Sequence, residues 1–196
     1  MKLLLASKSK ARRAMLEAAG VPFGVVDSVL DEERIKADLR EQGLGAMALA
    51  AALAEAKALA VPAGDDLVIG ADQMLERSDG TMLDKPRSRD DALAQLLSLG
   101  GKTHFLHSAA IVAERGQAVW RGSESVALTM RPLGTEFLNL YLDEEYEAIR
   151  WGVGGYRIEG PGVQLFERIE GSHFAILGLP LLPLLAFLRE RGVMAN

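Results

Sequence analysis

Two short apolar runs that end abruptly in polar residues constrain the fold of this chain most strongly. Leu3–Ala6 and Leu67–Ala71 are continuous apolar segments, and runs of this length are typical of buried strands. Segments with helical character accompany them: Ala11–Ala19, which stops at Gly20, and the alanine-rich segment Gly45–Ala60. Strands that alternate with helices predict a mixed α/β fold.

The rest of the chain continues this alternation. Strand character is found in Val21–Val26, His104–Ala113, Ala118–Met130 and Val163–Ile169. Helical character is found from the capping box at Ser88 to Leu99, from a cap at Thr135 to about Ile149, and over Leu181–Arg191. The charged residues 28–43 predict a loop with a solvated helix, and residues 78–80 predict a turn between two short strands. The glycine-rich residues 152–162 predict an irregular loop. No repeat or linker interrupts residues 1–196, so we expect one domain or two closely packed lobes.

Composition and charge exclude several classes of function. The chain has no cysteine, which excludes disulfides, thiolate zinc sites and a cysteine nucleophile. Its formal net charge of −5 disfavours binding to long nucleic acid, although a local basic cluster can still hold one small triphosphate. The first apolar run is too short for a signal peptide, and the apolar stretch Phe174–Leu188 is too short for a membrane span. We therefore expect a soluble, cytoplasmic protein with no membrane partner.

The segment from Ser7 to Arg13 connects the first strand to the first helix and is rich in serine and basic residues. At such a junction the helix-start N–H groups lack partners, the helix dipole favours anions, and the hydroxyls of Ser7 and Ser9 can donate as well. Cations such as Arg12 and Arg13 are disfavoured at a helix start unless an anion binds there. Two interpretations fit this segment: a phosphate site, or a solvated basic turn with ordinary serine caps.

Asp72 follows the apolar run Leu67–Ala71, at the expected end of a strand. Ligands of open α/β sheets bind beyond the carboxyl ends of strands, where a carboxylate can hold a divalent ion or accept a proton from water. An aspartate that caps the next turn is the alternative. Gln73 beside it is either a group that contacts a base edge or an ordinary surface amide.

Other charged residues also allow a functional and a structural interpretation. Lys85 precedes Pro86, which fixes the turn and directs the ammonium group, and Lys57 lies among apolar neighbours on the alanine-rich helix. Either lysine fits a phosphate contact or a surface position. Glu32, within an acidic run, is either a metal ligand or part of a solvated face. Glu159, in the glycine-rich loop, is either a base reader or an exposed carboxylate.

Several common catalytic motifs are absent from the sequence. The three histidines lack the spacing of a zinc site such as HExxH. No serine lies in a GxSxG elbow, and no GxxxxGK[ST] phosphate loop occurs.

Taken together, these segments resemble the Maf family of nucleotide pyrophosphatases over nearly the whole chain. The matching pieces are, in order, LLLASKSKARRAMLEAAG, VIGADQ, LDKP, LLSLGGKTHFLHSAAIV and GGYRIEGPGVQLFERIEGSHFAILGLPLLPL. The resemblance implies a single α/β domain with an elongated central sheet flanked by helices, and two lobes with a cleft between them. It also implies hydrolysis of nucleoside triphosphates between the α and β phosphates, with a divalent cation such as Mg²⁺ or Mn²⁺. Many members are dimers, so a homodimer is one expected assembly.

The resemblance assigns roles to individual residues. Asp72 would accept the proton of the attacking water, and Glu32 would join it at the metal. Lys57 and Lys85 would act on the phosphates as catalytic cations, together with Arg12. The remaining expected substrate contacts are Ser7, Ala11, Arg13, Gln73 and Glu159.

This sequence departs from the commonest pattern of the family at several substrate positions. Lys10 and Ala11 replace a proline and an arginine, Gln73 replaces a threonine, and Glu159 replaces a glutamine. These changes resemble the branch that acts on 7-methyl-GTP, because a carboxylate can accept hydrogen bonds from a guanine edge and attracts a positively charged ring. That branch often carries a bulky aromatic residue where Ala11 stands. The alternative is the branch that acts on dTTP and UTP.

Other classes of function compete with this one. The first is a non-catalytic nucleotide-binding protein that regulates septum formation. The full set of Asp72, Lys57, Lys85 and Glu32 argues against it, because a mere binder needs no base. The second is an unrelated phosphate-binding enzyme such as a kinase, which the missing phosphate loop disfavours.

Overall fold

The computed structural model describes residues 1–195. Its strands are β1 (Leu3–Ala6), β2 (Gly24–Val25), β3 (Leu67–Arg77), β4 (Met82–Leu83), β5 (Thr103–Glu114), β6 (Gln117–Met130) and β7 (Phe166–Glu170). Its helices are α1 (Lys10–Ala18), α2 (Glu32–Glu41), α3 (Ala46–Leu59), α4 (Arg89–Leu99), α5 (Thr135–Ile149), α6 (His173–Ile176) and α7 (Leu181–Glu190). Short 3-10 helices cover Val153–Gly155 and Pro161–Leu165.

The strands of residues 1–195 form one mixed sheet in the order β2-β1-β3-β5-β6-β7, with β4 paired to β3. β1 pairs parallel with β2 and with β3, whereas the β3–β4 and β6–β7 pairs are antiparallel. The mixed α/β fold is therefore confirmed. Arg115 and Gly116 join β5 to β6 with φ values of 52° and 73°, which are typical of a tight hairpin turn.

The chain divides into two compact units. The first contains Met1–Gln73, His107–Glu124 and the chain from Ser172 onward. Its core lies among β1, β3, α1 and α7, where the side chains of Leu5, Leu16 and Leu184 are fully buried. α2 in this unit has no buried residue. This agrees with the solvated helix that was predicted within residues 28–43.

The second unit contains Met74–Leu106 and Ser125–Gly171. Here α4 packs against α5, and Ser88 caps α4 by accepting a hydrogen bond from the Asp91 backbone. The rings of Tyr156 and Phe166 meet edge to face with centroids 4.8 Å apart. Within residues 1–195, every helix falls short of the length and apolar character that crossing a bilayer requires.

Several predicted boundaries were wrong. β3 does not end at Asp72 but continues to Arg77, because its last residues pair with β4 across the predicted turn. The strand predicted over Val21–Val26 shrinks to two residues, since the Val21 N–H donates to Leu16 and closes the end of α1.

In the second unit, a helix and a strand begin at residues other than those predicted. Gly134, not Thr135, is the N-cap of α5. The strand predicted over Val163–Ile169 begins only at Phe166, because the Val163 N–H donates to Gly160 within a 3-10 turn.

Candidate active site

Asp72 lies inside β3 but beyond the end of its neighbour β1. The parallel register places Ala6, the last residue of β1, opposite Gly70. The chain then leaves the sheet through Ser7 and enters α1 at Lys10. Ligands of α/β sheets bind beyond the carboxyl ends of strands, and the carboxyl end of β1 is such a place. Asp72 lies beside the end of β1, although β3 itself continues past Asp72.

Gly70 allows α3 to lie directly on β3. A Cβ atom at this position would come within 2.1 Å of the Ala54 carbonyl oxygen and 2.5 Å of the Ala58 nitrogen. Side chains two residues apart on a strand share a face, so Asp72 points to the same side as Gly70. The close approach of α3 thus brings Lys57 onto Asp72.

Lys57 contacts two carboxylates at once. Its Nζ atom lies 2.7 Å from Oδ1 of Asp72 and 2.8 Å from Oε2 of Glu32. The lysine side chain is 8% exposed and that of Asp72 is 16% exposed, whereas that of Glu32 is half exposed. Asp31 caps α2 by accepting from the Arg34 N–H at 3.1 Å, which starts the helix at Glu32. The acidic run therefore contains both a helix cap and a member of this cluster.

Arg12 is buried next to this cluster and is held by backbone carbonyls. Its Nε atom donates to the Gly178 oxygen at 2.9 Å, and its Nη1 atom donates to the Ala71 oxygen at 2.8 Å and to the Ser7 hydroxyl at 3.3 Å. Burial lowers the pKa of the guanidinium group, while the charges of Asp72 and Glu32 oppose that shift. An arginine remains protonated in proteins, so these bonds fix a permanent positive charge.

The start of α1 has the geometry expected for an anion site. Ser9 is the N-cap and accepts from the Arg12 N–H at 3.4 Å, and the Ser7 hydroxyl accepts from the Ser9 N–H at 3.3 Å. Ala11 is half-buried, whereas Arg13 is exposed. The first unit thus brings Ser7, Arg12, Glu32, Lys57 and Asp72 together.

Gln73 points to the opposite face of β3 from Asp72, because neighbouring strand residues alternate. Its amide nitrogen lies 2.9 Å from the Ser108 hydroxyl, 2.9 Å from the Ala175 oxygen and 3.0 Å from the Ile176 oxygen. Its expected contact with substrate stays a prediction.

Lys85 and Glu159 belong to the second unit and are both exposed. The loop that carries Glu159 is held by Arg157, whose Nε and Nη2 atoms donate to the two carboxylate oxygens of Glu145 at 2.6 Å and 3.0 Å. Tyr156 is buried, and its hydroxyl lies 2.7 Å from Nε2 of His104. The substrate roles of Lys85 and Glu159 stay predictions.

Sequence reasoning did not select Gly70 and Gly178, which leave room for the Lys57 helix α3 and for Arg12, or Ser108, which contacts Gln73. Gly178 has φ 102°, and a Cβ atom there would lie 2.9 Å from Nε of Arg12. A glycine inside the apolar run before Asp72 is a usable signal, because glycine in a strand marks close backbone approach. Ser108 had no comparable signal, since one serine in a strand is common.

This cluster combines a carboxylate that can take a proton with cations that can bind an anion. The family profile described as Maf-like protein matches residues 2–191. The chain belongs to the Maf-like family. This Maf-like chain is 45% identical to a protein of Granulibacter bethesdensis named nucleoside triphosphate pyrophosphatase, with 99% of each chain covered.

Two further Maf-like relatives are similar along nearly their full length. A nucleoside triphosphate pyrophosphatase of Paramagnetospirillum magneticum is 48% identical over 96% of this chain and 98% of its own. A protein of Brucella abortus named 7-methyl-GTP pyrophosphatase is 43% identical over 97% of this chain and 96% of its own. Relatives with both names therefore lie within a narrow range of identity.

Proposed function

We propose that this protein hydrolyses a nucleoside triphosphate to the monophosphate and pyrophosphate. The observation that carries the proposal is the carboxylate of Asp72, held 2.7 Å from the Lys57 ammonium group and next to the buried Arg12. The names of the Granulibacter and Brucella relatives support the same reaction.

Water attacks the α-phosphorus in line with the bridging oxygen that leaves with pyrophosphate. The new bond joins the water oxygen to the α-phosphorus, the bond to the bridging oxygen breaks, and Asp72 takes the proton of the water. Asp72 is suited to this role because its side chain is partly exposed, so water can reach it.

Lys57 and Arg12 stabilise the negative charge that develops on the phosphates. Nε and Nη1 of Arg12 donate to protein acceptors, which leaves Nη2 as the guanidinium nitrogen for a phosphate oxygen. The Ser7 hydroxyl and the first N–H groups of α1 add donors at the same point. Arg12 and Ser7 already hydrogen-bond each other, and Arg12 is also held by backbone carbonyls, so these donors need little reorganisation during the reaction.

Asp72 and Glu32 would hold the divalent cation. Both carboxylates contact the same ammonium group, so both face one position that a cation occupies. Across the part of the chain that the structure describes, no group of three or more His, Cys, Asp or Glu side chains is arranged to hold a metal. Two carboxylates are enough for Mg²⁺, which usually binds through one or two carboxylates plus substrate phosphates. When bound, the ion neutralises phosphate charge.

Glu159 is our proposed base reader, and 7-methyl-GTP is the substrate that its carboxylate suits best. The Brucella relative with that substrate in its name supports this assignment. A pyrimidine triphosphate is the alternative, because Ala11 provides no aromatic ring on which a guanine could stack.

The experiment is to incubate the protein with Mg²⁺ and a panel of triphosphates that includes 7-methyl-GTP, GTP, dTTP and UTP. We expect pyrophosphate as the product, and release of orthophosphate alone contradicts the proposal. A second reaction in water labelled with heavy oxygen locates the attack. Label in the monophosphate indicates attack on the α-phosphorus, whereas label in pyrophosphate contradicts it.

A further inference from the structure

Gln73 connects β3 to the short helix α6. Its Nε2 atom lies within 3.0 Å of the carbonyl oxygens of Ala175 and Ile176. Ser108 completes the contact, since its hydroxyl donates to the same Ala175 oxygen at 2.7 Å and lies 2.9 Å from Nε2. Ser108 is fully buried, and buried carbonyl groups need such donors.

The chain just after α6 holds Arg12. Leu177 ends the helix, and the carbonyl of the next residue, Gly178, accepts from Nε of Arg12 at 2.9 Å. Gly178 adopts φ 102°, which favours glycine, and its lack of a Cβ atom makes room for the guanidinium group. The direction of Arg12 therefore depends on where this segment lies.

The contacts form a closed ring. Arg12 donates both to Gly178 and to the Ala71 oxygen on β3, while Gln73 joins β3 to the end of α6 directly. The helix has only four residues and no side-chain cap. Because so short a helix has few hydrogen bonds of its own, the amide of Gln73 is an important restraint on it.

We propose that Gln73 is a positioning residue, whose amide ties α6 to β3 and thereby holds the Gly178 carbonyl in place for Arg12. This inference rests on the proposed function, and it gives Gln73 a role other than contact with the base. If the amide turned toward a base, the oxygens of Ala175 and Ile176 would each lose a donor.

The inference makes a specific kinetic prediction for Gln73→Met, which keeps the side-chain length but removes the donor. Arg12 acts on phosphates, which all triphosphates share, so kcat/KM should fall by the same factor for every nucleotide. We expect a fall of about tenfold, smaller than the roughly 10²–10³-fold cost of deleting a charge-stabilising group itself. Gln117→Met, at an exposed position of β6, is the matched control and should keep wild-type kinetics.

A double-mutant cycle with Arg12→Lys separates positioning from a general structural role. Lysine cannot make the Nε contact to Gly178, so Gln73→Met should cost little more in that background. Additive losses overturn the inference. A change of more than about threefold in the ratio of kcat/KM for 7-methyl-GTP and UTP also overturns it, because that result makes Gln73 a base reader.

Amide hydrogen exchange tests the same restraint without relying on turnover. Exchange at residues 174–179 should be faster in Gln73→Met than in wild type or Gln117→Met, and unchanged exchange overturns the inference. If wild-type protein releases no pyrophosphate, the proposed function fails, while the exchange result still decides whether Gln73 holds this segment. Should Gln73→Met not fold, Ser108→Ala, which removes one contact of the amide, is expected to show the same effects at smaller size.

Discussion

The ammonium nitrogen of Lys57 lies 2.7 Å from Oδ1 of Asp72 and 2.8 Å from Oε2 of Glu32. One cation from α3 therefore bridges carboxylates from β3 and α2. A metal ion that binds the same two carboxylates must compete with Lys57 or displace it toward phosphate. The arrangement thus links metal binding to the position of the lysine.

Gly70→Ala tests the close approach that brings Lys57 to Asp72. The new methyl group would overlap the Ala54 carbonyl of α3, so the helix must move away from β3. We expect a loss of about 1–3 kcal/mol in the free energy of unfolding, measured by urea titration, together with lower kcat.

Gly152→Ala is the control for this change. Gly152 has φ −115°, and the nearest heavy atom to its added Cβ atom is 3.8 Å away. Its stability and kcat should stay near wild type. If Gly70→Ala were as stable and as active as Gly152→Ala, α3 would have adjusted without moving Lys57, which contradicts the prediction.

Glu32→Gln tests the proposed metal site. Removing one anionic ligand should raise the Mg²⁺ concentration needed for half-maximal activity by roughly tenfold or more, measured as pyrophosphate release at saturating nucleotide. Glu33→Gln is the matched control, because Glu33 is the exposed next residue of α2. An unchanged Mg²⁺ requirement in Glu32→Gln removes Glu32 from the metal site.

His104 should make stability depend on pH. Burial lowers the pKa of its imidazole from 6.5 to about 4, so between these values the unfolded state binds more protons than the folded state. The free energy of unfolding therefore rises with pH across this window, by at most about 1.4 kcal/mol per pH unit. The contribution of His104 to stability is lost as the pH falls from 6.5 toward 4. Urea titrations at several pH values measure this slope.

The variant His104→Phe removes the titrating group and should reduce the slope between pH 4 and 6.5, whatever its effect on absolute stability. His173→Asn is the control, since His173 is exposed, and it should keep the wild-type slope. A slope in His104→Phe that equals the wild-type slope assigns the pH dependence to other groups.

Glu159→Gln tests the proposed base reader. The uncharged side chain no longer attracts a methylated guanine ring, so kcat/KM for 7-methyl-GTP should fall by about tenfold relative to UTP. Glu167→Gln, at an exposed position of β7, is the control. An unchanged ratio of the two substrates contradicts a base contact by Glu159.

Much of the fold follows from local patterns. The apolar runs of β1 and β3 and the alanine-rich α3 were visible because burial and helix propensity act within a few residues. The end of β3 was not visible in the sequence, because Asp72 and Gln73 interrupt the apolar run. Pairing with β4 extends the strand to Arg77. Pairing between distant segments leaves little trace in a local pattern.

The same contrast holds for the candidate site. The motifs made Ser7, Arg12, Lys57 and Asp72 candidates beside structural alternatives, and the resemblance to the Maf family assigned their roles. The contacts that fix them, such as the Gly178 carbonyl on Nε of Arg12, come from backbone atoms. Any residue has a carbonyl group, so residue types alone could not identify this partner.

The most direct test of the account is pyrophosphate release by Asp72→Asn, with Asp65→Asn as control because Asp65 lies at an exposed ion pair with Arg115. The substitution keeps the size of the side chain but removes its ability to take a proton. We predict a fall in kcat of about 10²–10⁴-fold at saturating Mg²⁺ and nucleotide, with unchanged circular dichroism. An Asp72→Asn protein that keeps wild-type turnover would contradict the account.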